Sequence, residues 1–299
     1  MAPSAAFLGL GVMGAGMAGR LLDAGLPLAV WNRTAGRAEP FARRGARVTS
    51  TPRDAASGAD VVIAMVADDA ASRAVWLGDA GALAGLRSGA VAIESSTLSP
   101  AWIDELAAAA AARGAALLDA PVTGSRTHAA SGELRFLVGG PAPALERARP
   151  AFSAMGRDVV YLGATGSGAR LKLINNFLCG VQAASLAEAV ALVERSGLDR
   201  AAALAVLTSG APGSPLVTAV TPRMAGADYA VNFALALMHK DLTYAMADAS
   251  RFGLDLDTAA AARRRFAAAL DAGWGDQDFA AVVEALRRKP WALSKEPSP

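Results

Sequence analysis

Cysteine and histidine are nearly absent from the chain. Cys179 is the only cysteine, and there are two histidines among 299 residues. One thiol cannot form an internal disulfide, which is typical of proteins from a reducing compartment. Because the sequence also has no acidic or histidine cluster at ligand spacing, we expect no metal site. Cys179 lies among apolar helical residues and is predicted to be a core residue.

Strong charge imbalance and long apolar runs are also missing. The 29 basic residues nearly balance the 27 acidic ones, and no basic stripe carries interleaved aromatic residues, so nucleic acid is not an expected partner. Arg, Asp or Gly interrupts each alanine-rich stretch before it reaches about 20 residues, so we expect no membrane span. The first residues have neither a basic region nor the apolar core of a secretory signal. The sequence therefore predicts a cytoplasmic protein.

The hydrophobic content of 53% is enough for a substantial core, and 299 residues suggest two domains. The first half alternates strand and helix patterns, as parallel βαβ units do, and predicts one twisted α/β sheet. The predicted strands are 5–10, 28–31, 60–66, 89–94, 115–119, 134–139 and 158–162. The predicted helices are 12–24, 69–76, 100–113 and 142–155.

Strand patterns end near Gly166. From there the spacing of apolar residues predicts only helices, at 170–195, 199–207, 235–251, 258–272 and 279–288. The last residues, 294–299, resemble a frayed tail. We therefore predict an α/β domain over 1–164 and an all-α domain over 165–299, which includes the long helix.

A glycine-rich segment joins the first predicted strand to the first predicted helix. Gly9 permits a tight turn, Gly11 lets a pyrophosphate approach the backbone, and Gly14 allows close packing of helix and strand. The negative ligand would then lie at a helix N-terminus. The alternative is a glycine-rich turn without a ligand. The predicted cofactor-binding residues of this segment are Gly9, Leu10, Gly11, Val12, Met13 and Gly14.

The end of the second strand distinguishes between the two nicotinamide cofactors. A site for NADH usually has an Asp or Glu there to bind the ribose 2′-hydroxyl, but this chain has Asn32, Arg33 and Thr34. Asn32 and Thr34 can donate to a 2′-phosphate, and Arg33 can pair with it. The sequence therefore favours NADP(H), with NAD(H) possible. The alternative is a solvated turn with a chance arginine.

Five ordered motifs give the chain its resemblance to a known family. They are the glycine segment extended over 7–21, Glu94-Ser-Ser-Thr97, Asp119-Ala-Pro-Val-Thr-Gly-Ser125 with Gly132-Glu-Leu134, residues 166–176, and residues 233–242. Together they resemble the β-hydroxyacid dehydrogenase family, which includes 3-hydroxyisobutyrate dehydrogenase, tartronate semialdehyde reductase and glyoxylate/succinic semialdehyde reductase. The resemblance covers nearly the whole chain.

The resemblance implies an N-terminal Rossmann domain with a doubly wound, mostly parallel sheet, a long interdomain helix and an all-α domain. It implies that Lys172 is the catalytic lysine and that Asn176 helps to position the substrate. The all-α domain usually forms the oligomer interface in this family, so we expect a homodimer or homotetramer. The further cofactor-binding residues expected from the resemblance are Met65, Val66, Thr97 and Lys240.

The resemblance also implies that Thr123, Gly124 and Ser125 form the turn that anchors the carboxylate of a small substrate. Many relatives have Ser-Gly-Gly here, whereas this chain has Thr-Gly-Ser followed by Arg126. Arg126 either pairs with the carboxylate or faces solvent.

The residues themselves favour carbonyl reduction. Hydride transfer leaves negative charge on the carbonyl oxygen, so a proton donor is needed. A desolvated Lys172 suits this role, since desolvation disfavours the charged form. Asn176 lies one helical turn further on the same face. The alternatives are that Lys172 and Lys240 are ordinary helix lysines, the latter paired with a neighbouring acid.

The histidines are weaker candidates for the acid or base. His128 is expected in a flexible loop, and His239 lies next to the positive charge of Lys240. We therefore predict an NAD(P)-dependent oxidoreductase, NADPH being favoured, that interconverts a small β-hydroxyacid and its semialdehyde. Glyoxylate or succinic semialdehyde reduction, imine reduction and NADPH binding without turnover are the alternatives; Lys172 argues against imine reduction.

Overall fold

The computed structural model describes residues 3–287, so the predicted tail and the last residue of the predicted helix 279–288 lie outside the described residues. The chain divides into two compact units, one up to Asn175 and one from Asn176 onward. The division falls inside the long helix. The domain boundary predicted after Ala164 lies before this helix begins, and it stays a prediction.

The first unit contains a sheet of six parallel strands with the order β3-β2-β1-β4-β5-β6. This is the doubly wound order of a Rossmann sheet, as predicted. β1 lies at its centre and is buried throughout, as are β4 and β5. Burial on both faces favours continuous apolar strands. The strands are β1 Ala5–Leu8, β2 Leu28–Trp31, β3 Arg47–Val48, β4 Val61–Ala64, β5 Val91–Glu94 and β6 Ala116–Asp119.

A second sheet of three strands corrects the prediction of a single sheet. It consists of β7 Val122–Thr123, β8 Leu134–Val138 and β9 Gly156–Tyr161. β7 pairs antiparallel with β8, and β8 pairs parallel with β9. Apolar runs identified β8 and β9 as strands, but periodicity does not specify a strand's partner. β7 is only two residues long, which is too short to give a pattern.

The helices of the first unit cover both faces of the large sheet. Phe7, Val30 and Ile63 point to one face with Met17 and Leu21, whereas alternate residues point to the other. A 3₁₀ helix at Ala35–Ala38 follows β2. The α-helices are α1 Val12–Asp23, α2 Glu39–Ala42, α3 Pro52–Ala56, α4 Asp69–Trp76, α5 Ala82–Gly85, α6 Pro100–Ala111, α7 Arg126–Ser131 and α8 Ala142–Met155.

The second unit is helical over its described residues, around a core that includes Met224, Leu242 and Phe266. Cys179 packs against this core, as predicted. A 3₁₀ helix spans Phe279–Val283. The α-helices are α9 Ser167–Arg195, which begins in the first unit, α10 Arg200–Ser209, α11 Pro215–Gly226, α12 Leu235–Ser250, α13 Asp257–Asp271 and α14 Glu284–Arg287.

Helix α11 is absent from the sequence prediction. Its surroundings contain several Pro and Gly residues, which indicate a loop. The structure places Pro215 in the first turn, where its missing N–H has no helical partner to lose. The Ser214 hydroxyl accepts the Val217 N–H at 3.1 Å and caps the helix. The proline that suggested a loop therefore begins a helix.

Helix α9 corrects a second expectation. Its 29 residues are long and apolar enough to cross a membrane by length and composition. The polar residues within α9 are too few to exclude a membrane span by composition. Half of its most apolar window is buried within the protein. One such helix is weak evidence for a membrane span, because the core helix of a soluble protein passes the same test of length and composition.

Candidate active site

The glycine segment forms the tight turn between β1 and α1. Gly9 has φ of +99°, and a Cβ placed on it would lie 2.3 Å from the Met65 carbonyl oxygen. A Cβ on Gly14 would lie 2.0 Å from the Gly9 carbonyl oxygen. Both contacts are shorter than any tolerated by a real side chain, so the turn requires glycine at both positions.

Gly11 faces open space instead. The nearest atom to a Cβ placed on it is a guanidinium nitrogen of Arg37, 4.0 Å away. Gly11 is also the N-cap of α1, where no side chain accepts a hydrogen bond and no acid occupies the first turn. The first N–H groups of a helix have no partners within it. This open, positively polarised cradle fits the pyrophosphate of a dinucleotide.

The ends of β4 and β5 lie beside this cradle. Val66 follows β4, and one of its γ carbons lies 3.1 Å from a Cβ placed on Gly9. The Val66 N–H donates to the Ser96 hydroxyl at 2.7 Å. Thr97 is the next residue and is half-buried. The structure therefore brings the segments of Met65, Val66 and Thr97 to the carboxyl edge of the sheet.

A buried carboxylate, which sequence reasoning missed, supports this edge. Glu94 ends β5 and is fully buried. It accepts hydrogen bonds from the Ser72 hydroxyl at 2.6 Å, from Trp76 Nε1 at 2.8 Å and from the Ser96 N–H at 2.9 Å. Burial raises the pKa of Glu94, whereas these donors lower it. The signal in the sequence was an acid ending an otherwise apolar strand.

The turn after β2 carries the residues predicted to select the cofactor. The Asn32 carboxamide accepts the Leu10 N–H at 2.8 Å and donates to the Thr34 carbonyl at 2.9 Å, so it ties the turn to the glycine segment. Arg33 and Thr34 are exposed. Arg37, from the following 3₁₀ helix, is the arginine nearest Gly11 and was not predicted. Arg37 lies in a four-residue 3₁₀ helix, which is too short to give a periodic pattern in the sequence.

Asp119 anchors the beginning of α9. It is buried at the end of β6, and its two oxygens accept the Gly166 and Ala169 N–H groups, each at 2.8 Å. Burial raises the pKa of Asp119 to about 6, against the opposing effect of these hydrogen bonds. Gly168 belongs to the same close packing, because a Cβ on it would lie 2.2 Å from the Leu137 carbonyl oxygen. Asp119 thus fixes the first turn of the helix that carries Lys172.

Lys172 and Asn176 lie one turn apart on α9, as predicted. Lys172 is half-buried and Asn176 is buried. The Asn176 amide donates to Asp241 Oδ2 at 2.6 Å. Asp241 belongs to α12 and is completely buried, so this charge-assisted bond fixes the carboxamide. Asp241 lies within the motif of residues 233–242, but the sequence alone assigns it no role.

Lys240 lies in α12, as predicted. Its Nζ is 2.7 Å from Asp241 Oδ1 and 4.7 Å from the centre of the Tyr244 ring. The pairing with a neighbouring acid is therefore present. His239 is half-buried, and burial, followed by the charge of Arg263, lowers its pKa. From the sequence alone, the charge of Lys240 is expected to disfavour the imidazolium form of His239. In the structure the charge that lowers the His239 pKa is that of Arg263, which helix packing brings close.

The predicted substrate turn joins β7 to α7. Gly124 has φ of +130°, and Ser125 is the N-cap of α7. Arg126 is the first residue of this helix and is exposed. His128 lies in α7 rather than in a flexible loop, because its Nδ1 accepts the Ser125 N–H at 3.1 Å and stabilises the helix start.

Comparisons with known proteins agree with this architecture. Residues 4–163 match the NAD-binding domain of 6-phosphogluconate dehydrogenase, and residues 166–286 match the NAD-binding family of NADP-dependent 3-hydroxyisobutyrate dehydrogenase. Glyoxylate/succinic semialdehyde reductase 2 of Arabidopsis thaliana, a chloroplastic protein, is 36% identical over 284 residues, 95% of this chain and 79% of the relative.

Two further relatives match along nearly their full lengths. The 3-hydroxyisobutyrate dehydrogenase of Pseudomonas aeruginosa is 36% identical, covering 95% of this chain and 98% of the relative. The structure of the Mycobacterium tuberculosis 3-hydroxyisobutyrate dehydrogenase with L-serine has a TM-score of 0.86 at 34% identity, covering 96% of this chain and 100% of that one. The fold, the glycine cradle and these matches together place the chain in the β-hydroxyacid dehydrogenase family, as an NAD(P)-dependent oxidoreductase.

Proposed function

We propose that the protein interconverts a short β-hydroxyacid and its semialdehyde, with NADPH as the preferred reductant and Lys172 as the proton donor. The observation that carries the proposal is the fixed Asn176 carboxamide, buried and bonded to Asp241 at 2.6 Å, one turn after Lys172. A buried amide held by a buried carboxylate is costly unless it is satisfied, and it gives a substrate a rigid partner.

A nicotinamide cofactor held at the glycine cradle of Gly9, Gly11 and Gly14 would supply the hydride for carbonyl reduction. Lys172, in its ammonium form, donates a proton to the carbonyl oxygen as negative charge develops there. Asn176 orients the substrate so that its oxygen faces Lys172. The Lys172 amine then regains a proton from water. In the oxidative direction the amine accepts the proton of the substrate hydroxyl.

Preference for NADPH is supported by the turn after β2. It has no carboxylate that would repel a 2′-phosphate, and it carries exposed Arg33 together with Arg37, whose guanidinium approaches Gly11. Arg33 can bond to the oxygens of a 2′-phosphate, whereas Arg37 is close to the cradle for the pyrophosphate, which both cofactors carry. Asn32 supports the site by fixing the turn through Leu10 and Thr34. NADH would lose the contact between Arg33 and the 2′-phosphate and bind more weakly.

The substrate carboxylate is proposed to bind at the turn of Thr123, Gly124 and Ser125, with Arg126 as a charged neighbour. Glyoxylate is a second candidate substrate, because it places a reactive carbonyl next to the same carboxylate, and the matched plant relative is named for its reduction. An imine without a carboxylate would leave this turn unused.

A substrate panel tests the proposal. Short semialdehydes, glyoxylate and a cyclic imine are each assayed with NADPH and with NADH by the loss of cofactor absorbance. We expect turnover with at least one carboxylate-bearing carbonyl and a lower KM for NADPH. Turnover of the imine alone, or none at all with tightly bound NADPH, would contradict the proposal.

We also propose that the protein is a cytoplasmic homodimer or homotetramer that binds neither membranes nor nucleic acid. Its second unit exposes large apolar side chains, among them Leu178 at 52%, Leu192 at 69% and Val206 at 68%. These side chains lie on α9 and α10, and subunit interfaces are typically built on contiguous exposed apolar patches. Light scattering that shows a strict monomer would contradict the assembly.

A further inference from the structure

The substrate turn is closed by a hydrogen-bonded pair of side chains. The Ser125 N–H donates to His128 Nδ1 at 3.1 Å, and the Ser125 hydroxyl lies 2.8 Å from the same nitrogen. Together with the His128 N–H, which bonds to the Ser125 side chain, this forms a capping box. Glu or Gln usually occupies the third helical position of such a box. Here an imidazole takes that place.

The rest of α7 is seated on the cofactor helix. A Cβ placed on Gly16 of α1 would lie 2.9 Å from the Ala129 carbonyl carbon and 2.9 Å from the Ala130 nitrogen. Only glycine allows the backbones of α1 and α7 to approach so closely. The middle of α7 is therefore fixed relative to the glycine cradle, and the His128 side chain determines the conformation of its first turn.

Gly124 makes the turn sensitive to this conformation. A Cβ placed on Gly124 would lie 2.9 Å from a Leu134 methyl group and 3.1 Å from the His128 Cβ. The turn is therefore packed between β8 and His128. If the imidazole were removed, the Ser125 N–H would lose its acceptor, while the His128 Cβ would still lie beside Gly124.

We infer that His128 is a positioning residue for substrate binding, which fixes Ser125 and thereby sets the donors that the turn offers to the substrate carboxylate. The inference rests on the proposed role of this turn. Because the Ser125 N–H is already bonded to the imidazole, the carboxylate is bound by the Thr123 hydroxyl, the Gly124 N–H and the Ser125 hydroxyl. The neutral ring acts here as an acceptor at Nδ1, with its proton on Nε2.

Three proteins test this inference: the wild type, His128→Ala and His128→Gln. Glutamine restores an acceptor at the third helical position, so it is the conservative variant, whereas alanine removes it. For each protein, kcat and KM are measured for the best substrate of the panel at saturating NADPH. NADPH affinity is measured separately by fluorescence, and folding by circular dichroism.

We expect His128→Ala to raise the substrate KM roughly 5- to 10-fold, the effect of losing about one hydrogen bond, with kcat within about 3-fold of the wild type. His128→Gln is expected to keep KM within about 3-fold. NADPH affinity stays unchanged in both. If the alanine variant is too unstable to assay, His128→Leu, which keeps a bulky side chain but has no acceptor, takes its place and is expected to raise KM by a similar factor.

An unchanged substrate KM in His128→Ala, or in His128→Leu where that variant takes its place, would overturn the inference while leaving the proposed function intact. Equal losses of substrate and NADPH affinity would also overturn it, since they indicate a structural role only. A wild-type protein that turns over no member of the panel would instead refute the proposed function itself.

Discussion

Replacing Asp119 by asparagine tests how α9 is anchored. The Asp119 carboxylate accepts two backbone N–H groups at the start of this helix, each at 2.8 Å. Asparagine has the same shape but only one acceptor oxygen, so its NH₂ group would face one of the two amides. The loss of one charge-assisted hydrogen bond costs about 1.5–3 kcal/mol.

The contribution of Asp119 to the free energy of unfolding depends on pH, and its raised pKa sets the direction of that dependence. The pKa of Asp119 is raised from 3.8 to about 6 in the folded protein. Between these values the folded state binds more protons than the unfolded state, so the contribution of Asp119 to stability is largest below pH 4 and falls as the pH rises through 6. The difference between the two pKa values corresponds to at most about 3 kcal/mol. The Asp119→Asn variant lacks this titration.

Urea unfolding of both proteins at pH 5 and at pH 8 measures the effect. The free energy of unfolding of Asp119→Asn is expected to be lower than that of the wild type at pH 5, and the deficit is expected to shrink at pH 8. Asp79→Asn is the control, because Asp79 is exposed and should show little effect at either pH. A deficit that stays constant or grows with pH would refute the reasoning.

Three further predictions concern the cofactor and the substrate. Arg33→Ala should raise the KM for NADPH about 10-fold or more but change that for NADH little, whereas Arg37→Ala, beside the pyrophosphate cradle, should raise both; an equal effect of Arg33→Ala on the two cofactors would exclude its contact with the 2′-phosphate. Gly11→Val should leave the apo protein's Tm unchanged but weaken NADPH binding at least about 10-fold. Gly14→Val should lower the Tm itself, because its Cβ would meet the Gly9 carbonyl oxygen at 2.0 Å. Equal Tm values for the two variants would contradict this prediction. Asp241→Asn should lower kcat/KM about 10-fold with NADPH affinity retained, because it weakens the bond to Asn176; unchanged kcat/KM would remove Asp241 from the site.

The sequence predicted the features that local patterns determine. Apolar runs identified β1, β2, β4 and β5, and the glycine spacing identified the turn whose geometry excludes side chains at Gly9 and Gly14. The helical position of Lys172 and Asn176 followed from the same periodicity. These features depend on residues close in sequence, so they could be predicted without the structure.

The features that were missed depend on contacts between distant segments. Asp241 binds Asn176 from another helix, and Arg37 approaches Gly11 from beyond the next turn. His128 was placed in a loop because a six-residue helix is too short for a periodic pattern, although its capping partner Ser125 is only three residues away. Neither a sheet partner nor a buried hydrogen bond between two helices leaves a periodic signal in the sequence.

The Lys172 amine is proposed to transfer the proton during carbonyl reduction. The turnover of Lys172→Ala with the best substrate of the panel is compared with that of the wild type, and NADPH affinity is measured by fluorescence. We expect kcat to fall about 100-fold or more with cofactor affinity nearly unchanged. Near-normal turnover in this variant would contradict it.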